Sequence, residues 1–213
     1  MKKIQIVCLL AIFTLTGCVT GTRNIDLDIP QYSNEKNVTG AIYISEIHDK
    51  RAFEQKPRAP STPSVKGDLS ATSQDKLSTL IGRQRNGYGA AMGDVALPEG
   101  QTVQDKVREL LTIGFESRGY NVVDDENAPN HVTVDIAKFW AWFSPGMWSV
   151  SFESDLQTQI EFDSSSENVT VDVTGYGINK GQVASDANWK LAYERAYLNF
   201  LENLDKLLDE KGL

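Results

Sequence analysis

The sequence predicts an α+β fold. A two-layer domain is expected, with a mainly antiparallel sheet of four to five strands packed on two helices, after a cleaved N-terminal signal peptide. Three observations carry this. From Trp148 to Phe162 the apolar residues Trp148, Val150, Phe152, Leu156, Ile160 and Phe162 share one parity and Ser149, Ser151, Glu153, Asp155, Gln157, Gln159 and Glu161 the other, the pattern of a strand with one buried and one wet face. Val103 to Arg118 and Asp186 to Leu208 each carry an apolar stripe at helical spacing. The chain has 213 residues and is 40% hydrophobic, enough for a folded core rather than a disordered chain.

The N-terminus reads first as an address. Lys2 and Lys3 precede a mostly apolar run from Ile4 to Phe13. That run falls short of the about 20 residues a bilayer-spanning helix needs, and its basic start is that of a secretory signal. Leu15-Thr16-Gly17-Cys18 closely resembles the lipobox of bacterial lipoproteins. The resemblance implies cleavage before Cys18 and attachment of acyl chains there, palmitate among them. Residues 1–17 would then be the signal peptide, and Cys8 would leave with it. Several acyl chains make a firm anchor, since each buried CH₂ contributes about 0.8 kcal/mol. Val19, where an Asp commonly marks inner-membrane retention, implies the outer membrane, with the body facing the periplasm.

Residues 18–37 are polar and turn-prone (Thr20, Gly21, Asn24, Pro30, Ser33, Asn34) and read as a lipidated N-terminus and flexible tether. Residues 38–213 are expected to form a single α+β domain. Val38 to Ile47 alternates as a strand. Phe53 to Gly67 carries Pro57, Pro60 and Pro63, cannot donate a full ladder, and reads as a long loop. Ile81 to Gly93 reads as a second, glycine-rich loop. Thr102 and Asp105 suit the N-terminus of the helix that follows, and Gly119 its close. Tyr120 to Val123 is a short strand and His131 to Phe143 a longer one. The return strand after Phe162 starts at Val169, beyond a Ser-rich turn. The last helix buries Trp189, Ala192, Tyr193, Ala196, Phe200, Leu204, Leu207 and Leu208.

In order, the lipobox, Ile47-His48-Asp49-Lys50-Arg51, Ile81-Gly82, Gly87-Tyr88-Gly89 and Arg118-Gly119-Tyr120-Asn121-Val122 are followed by three strands and a helix. Over most of residues 38–208 this resembles the YajG-type family of small bacterial outer-membrane lipoproteins. The resemblance implies a compact α+β domain and no assigned activity.

The chemistry that the residues exclude is broad. With 21 Lys+Arg against 29 Asp+Glu the chain is acidic, so nucleic acid is not an expected partner. Two cysteines build no zinc site or disulfide framework. His48 and His131 have no neighbouring ligands at metal-binding spacing, no Gly-x-Ser-x-Gly elbow occurs, and no cofactor is indicated. A hydrolase site around His48 and Asp49 is the remaining catalytic alternative. Asp49 and Arg51 read either as a polar-ligand site or as a strand-end ion pair that orders the long loop. Arg83 and Arg85 place two guanidinium forks, suited to phosphate or carboxylate, in the glycine-rich segment. That segment otherwise reads as a structural turn.

Phe139, Trp140, Trp142, Phe143 and Trp148 gather about the Ser144-Pro145-Gly146 turn. In an unbroken strand Trp140 and Trp142 face away from Phe139 and Phe143. Either something besides the helices buries that second side, or an apolar patch meets a partner; a bulge near Lys138 would alter the assignment. The expected function is a non-enzymatic binding or accessory role in an envelope protein assembly, through this cluster. The alternative is a module for anionic envelope molecules, a lipid headgroup or cell-wall fragment, held by Arg83 and Arg85.

Overall fold

The computed structural model describes residues 21–34, 36–86, 90–145, 150–164, 168–181 and 185–213. In chain order these form β1 (Arg23–Asn24), β2 (Ala41–Asp49), a short helix α1 (Gln74–Thr79), β3 (Leu80–Arg85) and β4 (Ala91–Ala96). They continue as α2 (Val103–Arg118), β5 (Asn121–Val122), β6 (Asn130–Pro145), β7 (Val150–Ser164), β8 (Asn168–Gly181) and α3 (Asp186–Lys211). Cys18 and Trp148 lie outside the described residues.

The long strand β6 is the spine. One edge pairs antiparallel with β7, which pairs antiparallel with β8. The other edge is shared end to end by two parallel partners, β2 along residues 130–136 and β3 at Ala141 and Trp142. β5 extends the sheet beyond β2, while β4 and then β1 extend it beyond β3. The fold is therefore an 8-stranded mixed sheet with three helices, which corrects the expected antiparallel sheet of four to five strands on two helices. The physical reason is non-local pairing. β2 and β6 are joined by a long crossover, as parallel strands must be, and the two-residue strand β1 carries no periodicity to read. The expected glycine-rich loop is also corrected, because β3 and β4 form an antiparallel hairpin within it.

Helix α2 starts at a reciprocal cap. Thr102 Oγ1 accepts from Asp105 N at 3.2 Å, and the Asp105 carboxylate accepts from Thr102 N at 2.8 Å. It closes at Gly119, whose φ of 102° is a left-handed conformation favouring glycine. Helix α3 lies across β8 so closely that a Cβ on Gly177 would collide with the Ala192 carbonyl. Its polar side chains also blunt the β8 edge. Asn199 accepts from Tyr176 N (3.0 Å), Asn203 donates to the Thr174 carbonyl (2.8 Å), and Arg195 donates to the Ile178 carbonyl. Backbone groups that could template another strand are thereby occupied.

The main core lies between the sheet and α2 and α3. A second cluster, of Val65, Leu77, Leu80, Ala96, Trp140 and Trp142, fills the opposite face beneath the proline-rich loop and α1. Residues after Gly21 depart from the tether reading. β1 pairs with β4, Ile25 and Leu27 are buried in the main core, and Asn34 and Lys36 bond Asp205 and Asp209 of α3. The packed domain thus begins at Arg23 rather than at residue 38; Ile25 and Leu27 are too short a pattern to separate from a polar linker.

Candidate functional site

The aromatic cluster is divided by a register shift in β6 between Ile136 and Lys138. This bulge reverses the parity of the strand, so Val132, Val134 and Ile136 share the helix side with Phe139, Ala141 and Phe143. Phe139 stacks on Tyr193 with ring centroids 5.2 Å apart. Trp140 points the other way, donates from Nε1 to the Pro60 carbonyl at 3.2 Å and meets Phe53 edge-on. Trp142 and Phe143 are only 7% and 6% exposed, and Phe139 and Trp140 are fully buried. The four residues belong to the two cores, so they offer no contact surface. The expectation of a partner surface there is corrected. The proline-rich loop supplies the cover that sequence alternation leaves open.

Arg51 makes that cover possible. Its guanidinium grips both Asp49 carboxylate oxygens at 2.7 Å and donates to the carbonyls of Leu77 (2.8 Å), Leu80 (2.5 Å) and Phe139 (3.1 Å). Every fork position is used on the protein itself. Asp49 and Arg51 therefore order the loop and the start of β3, which is the structural of the two readings. His48 is half exposed beside Glu46 (3.1 Å), and His131 faces the Ala128 carbonyl (3.0 Å) and the Tyr43 ring. The two histidines share no nucleophile. Among the described residues no group of three His, Cys, Asp or Glu is placed to hold a metal ion.

Arg83 and Arg85 differ from Arg51. Two apart on β3, they share the face that the proline-rich loop covers. With Lys56, Arg58, Ser64 and the neighbouring Ala90 and Ala91 they line a pocket of about 440 Å³. Arg83 is 7% exposed and Ser64 1%. Arg83 Nε lies 3.6 Å from the buried Asp94 carboxylate, too long for a hydrogen bond, and Ser64 Oγ also has no hydrogen-bond partner among the described residues. Asp94 is meanwhile held by Lys66 N at 2.8 Å and approached by Lys76 at 3.7 Å. Burial lowers the Arg83 pKa, with Asp94 opposing, and burial together with the Arg83 charge lowers that of Arg85. Both guanidinium groups stay charged, and the second works against the first. An anion between them removes that repulsion. The alternation Gly82-Arg83-Gln84-Arg85 was the visible signal for this pair. Lys56, Arg58 and Ser64 join it only through the fold of the loop, and no local pattern marks them.

An α+β domain with two cores and a cation-lined pocket is the class that fold and site define. A family model described as an uncharacterized lipoprotein matches residues 81–193, more than half of the chain, and the protein belongs to this family, the YajG family. No curated protein matches. Among solved structures, protein XCC0632 from Xanthomonas campestris is 10% identical, with a TM-score of 0.46 over 89% of this chain and 98% of that one. An uncharacterized protein is 9% identical over 90% and 98%, with a TM-score of 0.38. The hypothetical protein CT253 from Chlamydia trachomatis is 6% identical over 81% and 96%, with a TM-score of 0.37. Likenesses this distant transfer neither residue roles nor function. No described helix is long and apolar enough to cross a membrane.

Proposed function

We propose that this lipoprotein acts without catalysing a reaction, as a binding component of the bacterial envelope. Cys18 carries its acyl anchor at the periplasmic face of the outer membrane, and its ligand is an oxyanion, phosphate- or carboxylate-bearing. One observation carries the reading: Lys56, Arg58, Arg83 and Arg85 converge on a single pocket in a chain of net charge −8. Arg83 is buried and Arg85 partly buried beside the exposed Lys56 and Arg58; like charges gathered in this way are stabilised when a ligand neutralises them, and planar guanidinium forks match phosphate and carboxylate oxygens in pairs.

The test is ligand-induced stabilisation, since a ligand that binds only the folded state raises its stability by mass action. Pyrophosphate at low salt is expected to raise the Tm of the native protein. Addition of 0.3 M NaCl should remove most of the rise. The double variant Arg58→Ser/Arg85→Ser should lose the rise while keeping the Arg83–Asp94 pair and a cooperative unfolding transition. An equal rise in native and variant proteins would refute the pocket as the binding site.

A second reading, contact with an envelope protein assembly, rests on a different surface. Tyr176 and Ile178, 46% and 39% exposed, stand together on the open face of β8. Photo-crosslinking from position 178 in intact cells should capture a discrete envelope protein. Equal capture from an acidic position such as Glu161 would mark the contact as non-specific.

A further inference from the structure

The register of β1 shows from which side the chain enters the domain. β1 runs parallel to β4, with Arg23 opposite Val95 and Asn24 opposite Ala96. Gly21 and Thr22 therefore lie toward the end where β4 begins, at Ala91. β3 runs antiparallel to β4, with Arg85 opposite Ala91, so Arg85 lies at this same end. The pocket is built there too, since Ala90 and Ala91 line it beside Arg85. Arg23 itself is fastened, its Nε 3.3 Å from Asp186 at the start of α3.

The distance to the anchor is short. Cys18 precedes Arg23 by five positions, which fully extended span about 17 Å. The four strand residues from Val95 back to Ala91 span about 13 Å. An acyl group on Cys18, no farther than this from Arg23, would hold the pocket end of the domain beside the bilayer surface, where headgroup phosphates are the most concentrated oxyanions. A tether of this length holds their effective concentration at the pocket in the millimolar range or above.

We propose that the pocket binds the phosphate of a lipid headgroup in the same leaflet that holds the protein's own acyl anchor. Arg85 and Arg58, at the open side, meet the phosphate first. Arg83 and the hydroxyl of Ser64, both buried with hydrogen-bonding capacity unused, complete its coordination. The domain is thereby seated on the membrane at a fixed orientation rather than swinging from its anchor. This inference rests on the oxyanion reading above and goes beyond it by naming the source of the anion and the direction the pocket faces.

The experiment compares pyrophosphate binding by the full lipidated chain in maltoside micelles, which contain no phosphate, and in nanodiscs of phosphatidylethanolamine with a third phosphatidylglycerol. Headgroups that occupy the pocket are expected to weaken pyrophosphate binding at least about tenfold in the nanodiscs. A Gly-Ser insertion of twelve residues between Gly21 and Thr22 lets the domain leave the surface, and most of the affinity should return. Equal affinity in micelles and nanodiscs, or a loss the insertion does not relieve, overturns the headgroup as ligand and leaves the oxyanion pocket standing. Failure of pyrophosphate to bind even in micelles overturns both.

Discussion

Replacement of Arg51 by Met tests whether one buried guanidinium holds the second core in place. Methionine keeps most of the volume, so little cavity cost is added. What is lost is the pairing: Asp49, with a side chain only 13% exposed, loses both bonds to Arg51, and the carbonyls of Leu77, Leu80 and Phe139 lose a charged donor. Removing one partner of a buried ion pair costs about 3–5 kcal/mol, about a fifth or more of the 5–15 kcal/mol that stabilises most domains. Urea unfolding followed by tryptophan fluorescence measures this. With a slope near about 2 kcal/mol/M the midpoint should fall by roughly 1.5–2.5 M. The companion Asp49→Leu/Arg51→Met, which removes the stranded carboxylate, should recover part of the loss. A loss under about 1 kcal/mol in the single variant, the range of exposed pairs, would refute the reasoning.

Other outcomes follow from the packing and the charges. Trp140→Ala should cost about 3–5 kcal/mol and render the proline-rich loop susceptible to protease near Pro60, because Trp140 is fully buried and bonds that carbonyl; native-like proteolysis would count against the second core. Gly177→Ala should cost about 1–3 kcal/mol in thermal unfolding, since α3 must lift from β8 to admit the methyl group. The tyrosines make stability fall at alkaline pH. Burial raises the pKa of Tyr193 and Tyr197 well above 10.0, and burial with the Glu153 bond raises Tyr176 to about 12. Folded tyrosines therefore keep their protons where unfolded ones lose them. This stability is complete below pH 10 and is lost as pH rises through the folded values, so phenolate absorbance should develop together with unfolding. Ionisation of all tyrosines near pH 10 with the fold intact would contradict the burial.

Local signals in the sequence reached a good part of this fold. Thr102, Asp105 and Gly119 mark both ends of α2, and the alternation through Phe162 marks β7, because caps and period-two patterns are local physics. Parallel pairing of β2 with β6 is not local: the residues between them carry no sign of which strand the first will meet. The same limit hid β1, whose burial depends on Ile25 and Leu27 alone. In the site, Arg83 and Arg85 were legible as a pair of forks two residues apart, but their setting was not. Whether they sat in a turn or beside a pocket depended on the proline-rich loop, whose start Arg51, just past the end of β2, ties to α1 and the start of β3. The aromatic run misled in the opposite direction, since its covering layer comes from residues far away in the chain.

The arginine side chains can report on the pocket directly. In a chain labelled with ¹⁵N at arginine Nε and held in maltoside micelles, pyrophosphate should shift the Nε signals of Arg83 and Arg85 along one saturation curve. Those of Arg51 and Arg118, already committed to carboxylates and carbonyls inside the protein, should stay where they are. Shifts of the same size at all four arginines, or none at Arg83 and Arg85, would contradict an oxyanion site on this face of the domain.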